Sequence, residues 1–275
     1  MSDQLTFALN HIVSPSRRFG DFLGLACGLG VSAVEIRNDL KGVEISDGTP
    51  AEELRAAADA QGVEILSINA LQRFNEWNPT REQEAVDLAR YARAAGARAL
   101  VLCPVNSTED RRSADQRVAD LRTALTALMP ILRAFDLTGL VEPLGFEESS
   151  LRLKRVAVDA IDAVGGQDTF ALVHDTFHHY LAGETEFFPE RTGLVHISGV
   201  EDRSLSHNAI RDQHRILVGP ADLLGNVAQI RTLLDGGYRG PFSFEPFAES
   251  VHQDTGVAAL LRDNMALIRR EVGQS

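Results

Sequence analysis

Eight short apolar runs recur along the chain at a near-regular interval, and they restrict its fold more than any other feature. They are TFALN (6–10), AVEIR (33–37), VEILSIN (63–69), RALVLC (98–103), TGLVEP (138–143), FALVHD (170–175), GLVHIS (193–198) and PFSFEP (241–246). Each has the length and the β-branched or aromatic content of a buried strand. None alternates cleanly between polar and apolar residues, which suits parallel strands covered on both faces. Helical patterns lie between the runs. Over 115–135, Leu121, Leu125, Leu128 and Leu132 share a face, as do Val257, Leu260, Leu261, Met265 and Ile268 over 257–268. Thr49-Pro50-Ala51-Glu52 offers a capping hydroxyl, a proline at the first helical position and a glutamate three residues after the cap; Thr80 to Gln83 repeats that spacing. Gly30, Gly62, Gly96, Gly139, Gly165-Gly166 and Gly237 mark the expected helix-to-strand joints, where each can adopt a left-handed conformation. The intervals between them are roughly 30–40 residues, one strand–helix unit each. This pattern predicts an α/β fold, a (β/α)8 TIM barrel, as a single domain over residues 1–275. The competing architecture is an open doubly wound sheet, but no GxGxxG or Walker turn follows a strand, which weakens a nucleotide-binding reading.

Composition narrows the function. A net charge of -12 and an isoelectric point near 5.1 give a surface that repels phosphate backbones, so nucleic acid and anionic membranes are not expected partners. MSDQLTFALN has no basic region followed by a long apolar core, and no apolar run approaches the ~20 residues of a membrane span. Two cysteines, Cys27 and Cys103, read as free thiols of a reducing, cytoplasmic environment.

In such barrels the chemistry sits at the C-terminal ends of the strands. The fifth run ends in Glu142, the sixth in Asp175, the seventh in His196 and the eighth in Glu245. A lone strand-end carboxylate usually caps the next helix or pairs with an arginine. Four metal-capable groups on successive strands are another matter: neighbouring strands lie about 4.8 Å apart, and closure tips their ends toward one centre. Unpaired there, the groups repel one another or stay protonated, a conflict that a divalent cation resolves. Three carboxylates with one imidazole favour Mn²⁺ or Mg²⁺, with Co²⁺ and Zn²⁺ tolerated. An octahedral ion keeps about two positions open for a carbonyl and a neighbouring hydroxyl, so proton abstraction beside a carbonyl is the expected reaction class. Glu142 and Glu245 then serve as base and acid on opposite sides of the substrate. His178, three residues after Asp175, shares its face on a helical turn and serves as a second ligand or a donor to a substrate oxygen. His174 points the other way and His179 lies outside the site. The long irregular stretch 199–220 reads as the active-site loop. There Asp212 and His214 form a pair able to bind a second ion, and Arg215 can bind substrate oxygens; a solvated charge cluster is the plainer alternative.

With these residues in place, the chain resembles the xylose-isomerase-like TIM barrels, a superfamily of sugar isomerases, epimerases and endonuclease IV. The resemblance covers nearly the whole chain and rests on VEPLG (141–145), HDTFH (174–178), VHIS (195–198), DQHR (212–215) and FEPF (244–247). It implies that Glu142, Asp175, His196 and Glu245 hold the metal, with Mn²⁺ favoured. It also implies that the two glutamates act as the acid/base pair of the ketose 3-epimerases and that His178 and Glu148 contact substrate. Within the superfamily, VEIRND (34–39), EPLGFEESSLR (142–152) and LVHDTFHHYLAG (172–183) look most like the inosose (2-keto-myo-inositol) isomerase group of inositol catabolism. The substrate is then a small polyhydroxylated ketone, met by His178, Arg215 and, on an apolar face, Phe74 and Trp77 from the loop after the third run. The alternatives are a ketose 3-epimerase, an inosose dehydratase, an endonuclease IV-like hydrolase and a non-catalytic sugar-binding barrel. The hydrolase needs further histidines after the second to fourth runs, where this chain has Arg37-Asn38, Asn69 and Cys103-Pro104. Relatives occur as monomers, dimers and tetramers, so a homo-oligomer is compatible with the resemblance.

Overall fold

The computed structural model describes residues 5–273; the first four residues of the MSDQLTFALN stretch and the last two of the 1–275 domain lie outside the described residues. All eight apolar runs become strands: β1 (Phe7–Asn10), β2 (Ala33–Arg37), β3 (Glu64–Gln72), β4 (Ala99–Cys103), β5 (Thr138–Val141), β6 (Phe170–Asp175), β7 (Thr192–Ile197) and β8 (Phe242–Phe244). They pair in sequence order, each parallel to the next, and β1 pairs β8 through Phe7–Phe242 and Leu9–Phe244. The closed barrel excludes the open doubly wound sheet. Nine helices surround it among the described residues: α1 (Phe19–Gly28), α2 (Ala51–Gln61), α3 (Pro79–Ala95), α4 (Ala114–Ala134), α5 (Lys154–Ala163), α6 (Thr176–Ala182), α7 (Asn226–Asp235), α8 (Glu249–His252) and α9 (Val257–Val272).

The larger apolar core fills the space between strands and helices. Leu121, Leu125, Leu128 and Leu132 of α4 are all buried in it, as their spacing predicts. On α9, Val257, Leu261, Met265 and Ile268 are buried, but Leu260 is 40% exposed: it lies off the stripe toward water. Both helix starts differ from the expectation. α2 begins after Pro50 with no side-chain cap, because the Thr49 hydroxyl donates instead to Asp47 Oδ1 at 2.6 Å. α3 begins two residues earlier than Thr80 implies: Asn78 caps it by accepting from Arg81 N, with Pro79 at the first helical position. Gly139 is no joint but part of β5; a side chain there would meet Phe170 at 2.6 Å and Leu132 at 2.8 Å, so close packing demands the glycine. Cys27 and Cys103 are free thiols, and no helix among the described residues is long and apolar enough to cross a membrane.

The lumen follows the two-residue period of strands. One side is apolar, with Val101, Leu140, Val173 and Leu194 below Cys103, Glu142, Asp175 and His196. The other side is polar: Asn10 on β1, Glu35 and Arg37 on β2, Ser67 and Asn69 on β3, and Ser243 on β8 are all buried. A polar lumen of this kind is stable only if its donors and acceptors pair, and they do so around the site.

Candidate metal centre and its cavity

The C-terminal ends of β5 to β8 bring one ligand atom from each of Glu142, Asp175, His196 and Glu245 within 4.8 Å of one another, and all four residues are buried. Asp175 ends β6 and also caps α6, its Oδ1 accepting from Phe177 N and His178 N at 2.7 and 3.1 Å. Its other oxygen, Oδ2, remains turned to the centre. His196 sits one residue before the end of β7, and its Nδ1 lies 3.1 Å from Glu142 Oε1, 3.2 Å from Glu245 Oε2 and 3.9 Å from Asp175 Oδ2. Burial opposes charge on the imidazole, but Glu245, Glu35 and Glu142 outweigh it and raise the His196 pKa well above its ordinary value.

The centre carries its own test of what can fill it. Four buried carboxylates, Glu35, Glu142, Asp175 and Glu245, face two buried guanidiniums, Arg37 and Arg215. With His196 protonated one negative charge remains; a divalent cation that takes the place of the Nδ1 proton meets two and cancels them. Three converging carboxylates and one imidazole are a donor set that fits such an ion. Glu142, Asp175, His196 and Glu245 would hold it.

The two glutamates differ. Both oxygens of Glu245 are engaged: Oε1 accepts from Arg37 Nη1 at 2.9 Å and Asn10 Nδ2 at 3.2 Å, and Oε2 accepts from Arg215 Nη2 at 2.9 Å. Burial works against this charge, but His196, Arg215 and Arg37 prevail and hold the carboxyl below its usual range. Glu142 uses Oε1 toward His196, and the contact of its Oε2 is the weak Cys103 thiol at 3.5 Å. Burial, then Glu142, pushes the Cys103 pKa well up, which keeps it a thiol.

A cavity of about 450 Å³ opens over the centre. Glu142, Glu245, Arg215 and His178 line it, as expected, and so does Asp212. His178 is held by Gly145, whose N–H donates to His178 Nδ1 at 3.2 Å, leaving Nε2 available to the cavity. Arg215 comes from the 199–220 loop but is fixed rather than free: it donates to Asp175 Oδ2 at 2.7 Å, to Glu245 and to Ser198 Oγ at 2.9 Å, between the rings of Phe177 and Phe247. Asp212 pairs with Arg215, and His214 Nδ1 accepts from Arg211 N; among the described residues they belong to no second converging group of metal-capable side chains.

Three expected substrate contacts are displaced. Phe74 is fully buried in the core, Trp77 packs partly buried against the same core, and neither lines the cavity. After β3, Gln72 and Arg73 still line the cavity, but Phe74 N donates to Cys103 O and both rings pack into or against the core. The cavity's aromatic surface comes instead from Phe146 and Phe247. Glu148 faces a separate small pocket beside Arg152 and Arg211. His174 points away from the lumen to Gln229 on α7, and His179 packs on Lys154 and Phe187, both outside the site as expected. The residues missed by sequence reasoning are Asn10, Glu35, Arg37, Asn69 and Cys103. Their signal was the two-residue period: Glu35 with Arg37, and Ser67 with Asn69, each share a strand face.

Gly145 limits how α6 sits. A side chain there would meet His178 O at 2.1 Å and Ala182 N at 2.8 Å, both backbone atoms. Gly145→Ala is expected to cost about 1–3 kcal/mol by overpacking and, by shifting the helix that follows Asp175, to weaken metal binding. Urea titration and metal competition check this; an unchanged midpoint would mean the turn yields freely.

A parallel eight-stranded barrel with a buried carboxylate–histidine centre at its C-terminal face is the class these features define. The chain belongs to the xylose isomerase-like TIM barrel family, whose profile matches residues 24–271. Among solved structures it is similar to a xylose isomerase domain-containing protein of Salmonella typhimurium LT2, at 32% identity and TM-score 0.87, covering 97% of this chain and 96% of that one. It is also similar to the IolI protein with a bound zinc atom, at 19% identity and TM-score 0.84, covering 98% and 99%. A D-psicose 3-epimerase from Clostridium cellulolyticum H10 shares the fold at 13% identity and TM-score 0.77, covering 98% and 99%. No curated protein matches the chain significantly.

Proposed function

We propose that the protein is a metal-dependent isomerase of a small polyhydroxylated ketone, with inosose the substrate to test first and Mn²⁺ the ion. The observation that carries the reaction type is the inequality of the two glutamates. An epimerase removes a proton from one face of a carbon and returns it to the other, which needs two mobile acid/base groups. An isomerase moves a proton between adjacent carbons on one face, which one group can do. Glu142 has an oxygen free for that transfer, whereas both oxygens of Glu245 are tied by Arg37, Asn10 and Arg215. When bound, the divalent cation would polarise the substrate carbonyl and favour loss of the neighbouring proton. Glu142 takes that proton and delivers it to the former carbonyl carbon, while the hydroxyl proton of the first carbon passes to the former carbonyl oxygen. His178 meets a substrate oxygen from the cavity wall, and Phe146 and Phe247 receive the apolar face of the ring. The buried guanidiniums of the cavity are already paired with carboxylates, which favours an uncharged substrate over a phosphate ester or sugar acid.

The test is carbon-bound proton exchange. Mn²⁺-loaded protein incubated in D₂O with inosose is expected to place deuterium on carbon and yield a ring isomer of unchanged mass apart from deuterium. Inversion of a ketohexose at carbon 3 instead would identify a ketose 3-epimerase. Loss of water would identify a dehydratase. Absence of exchange with inosose and ketoses, with metal bound, would sink proton abstraction as the reaction.

A further inference from the structure

We propose that Glu35 is a positioning residue that fixes the tautomer of His196, so that Nδ1 is the nitrogen offered to the ion. The inference rests on the metal-centre reading above. The three carboxylates of the centre surround Nδ1 of His196, while Nε2 points the other way and meets Glu35 Oε1 at 3.1 Å and Oε2 at 3.2 Å. An ionised carboxylate can only accept, so Glu35 holds a hydrogen on Nε2, and it is the Nδ1 hydrogen that an ion would displace, turning the Nδ1 lone pair to the centre. With the hydrogen on Nδ1, the ring would instead donate to Glu142 or Glu245 and present no lone pair to the centre.

Glu35 is built to stay in place. It is fully buried and accepts from Ser243 Oγ at 2.5 Å, Ser67 Oγ at 2.6 Å, Asn69 Nδ2 at 2.7 Å and Asn10 Nδ2 at 3.4 Å. These donors stand on β8, β3 and β1, so three strands orient a carboxylate on β2 toward an imidazole on β7. A carboxylate from β2, a strand that supplies no ligand, thereby orients a ligand supplied by β7. Partners of this kind hold the ring angle and raise the basicity of the coordinating nitrogen.

Glu35→Gln tests this in the full-length protein. The amide keeps an acceptor but also offers N–H, so it no longer forces the hydrogen onto Nε2. Zn²⁺ and Mn²⁺ affinities, measured by competition with a chelating dye, are expected to fall about 10–100-fold. In the Zn²⁺-loaded wild type, ¹⁵N-resolved imidazole spectra are expected to show a protonated Nε2 with a strongly hydrogen-bonded, downfield proton. Glu35→Gln is expected to lose that downfield position, and Glu35→Asp to restore part of the affinity. A carboxylate serving the fold alone would lower the melting temperature and leave affinity and spectrum unchanged, and that result in folded Glu35→Gln overturns the proposal. Should Glu35→Gln fail to fold, Asn69→Ala and Ser243→Ala loosen the carboxylate instead; undiminished metal affinity in both overturns it equally. Failure of the metal-centre reading is distinguishable, because wild-type protein would then bind neither ion before any substitution is made.

Discussion

Glu142→Gln is expected to reduce carbon–proton exchange in D₂O by about 10²–10⁴-fold, the contribution typical of a positioned general base. The amide is close to the carboxylate in size, and the residue touches His196 and Cys103 rather than an arginine. The fold is therefore expected to survive, with the melting temperature of the metal-free protein little changed. Glu245→Gln separates the two glutamates. It leaves Arg37 and Arg215 buried with weakened partners, so it is expected to lose stability and metal together. Full exchange by Glu142→Gln with bound metal would remove Glu142 from proton transfer and return the non-catalytic binding reading.

Removing two ligands at once gives the other large effect. Asp175→Asn with His196→Ala is expected to abolish stoichiometric binding of Mn²⁺ and Zn²⁺, read by elemental analysis after desalting. Asp175 and His196 are neighbours across the β6–β7 pairing, and each meets the centre through one atom. Asp175→Asn also weakens the buried pair with Arg215, so stability is expected to fall along with metal binding, although the amide oxygen still caps α6. Metal content equal to wild type would mean that the ion sits elsewhere and that the four-strand centre is a structural network.

The fold was legible because its signals are local. Eight apolar runs of strand length, separated by amphipathic helices, needed no knowledge of tertiary contacts, and all eight pair as parallel strands. The four converging groups were legible for the same reason: a barrel makes the end of every strand a position of known direction. Loop residues had no such guide. Phe74 and Trp77 follow β3 closely in sequence, yet both rings pack into or against the core while their neighbour Arg73 lines the cavity. The cavity's rings, Phe146 and Phe247, follow β5 and β8 at similar distances and turn inward. Helix starts failed where two short polar residues compete, as when Asp47 captures the Thr49 hydroxyl. Glu35 stood inside VEIRND in plain view, but its partners come from four other strands, and only closure shows that they meet.

The distribution of the centre along the chain has a consequence for biosynthesis. Its ligands span residues 142 to 245, and their supports reach back to Asn10. No partial product emerging from a ribosome holds the whole set until β8 has appeared and locked against β1. Contacts of such sequence separation form late, so any ion held there would be captured after barrel closure rather than guide it. An unfinished chain would offer scattered carboxylates of low affinity, and an ion held by this centre would enter only as a last step.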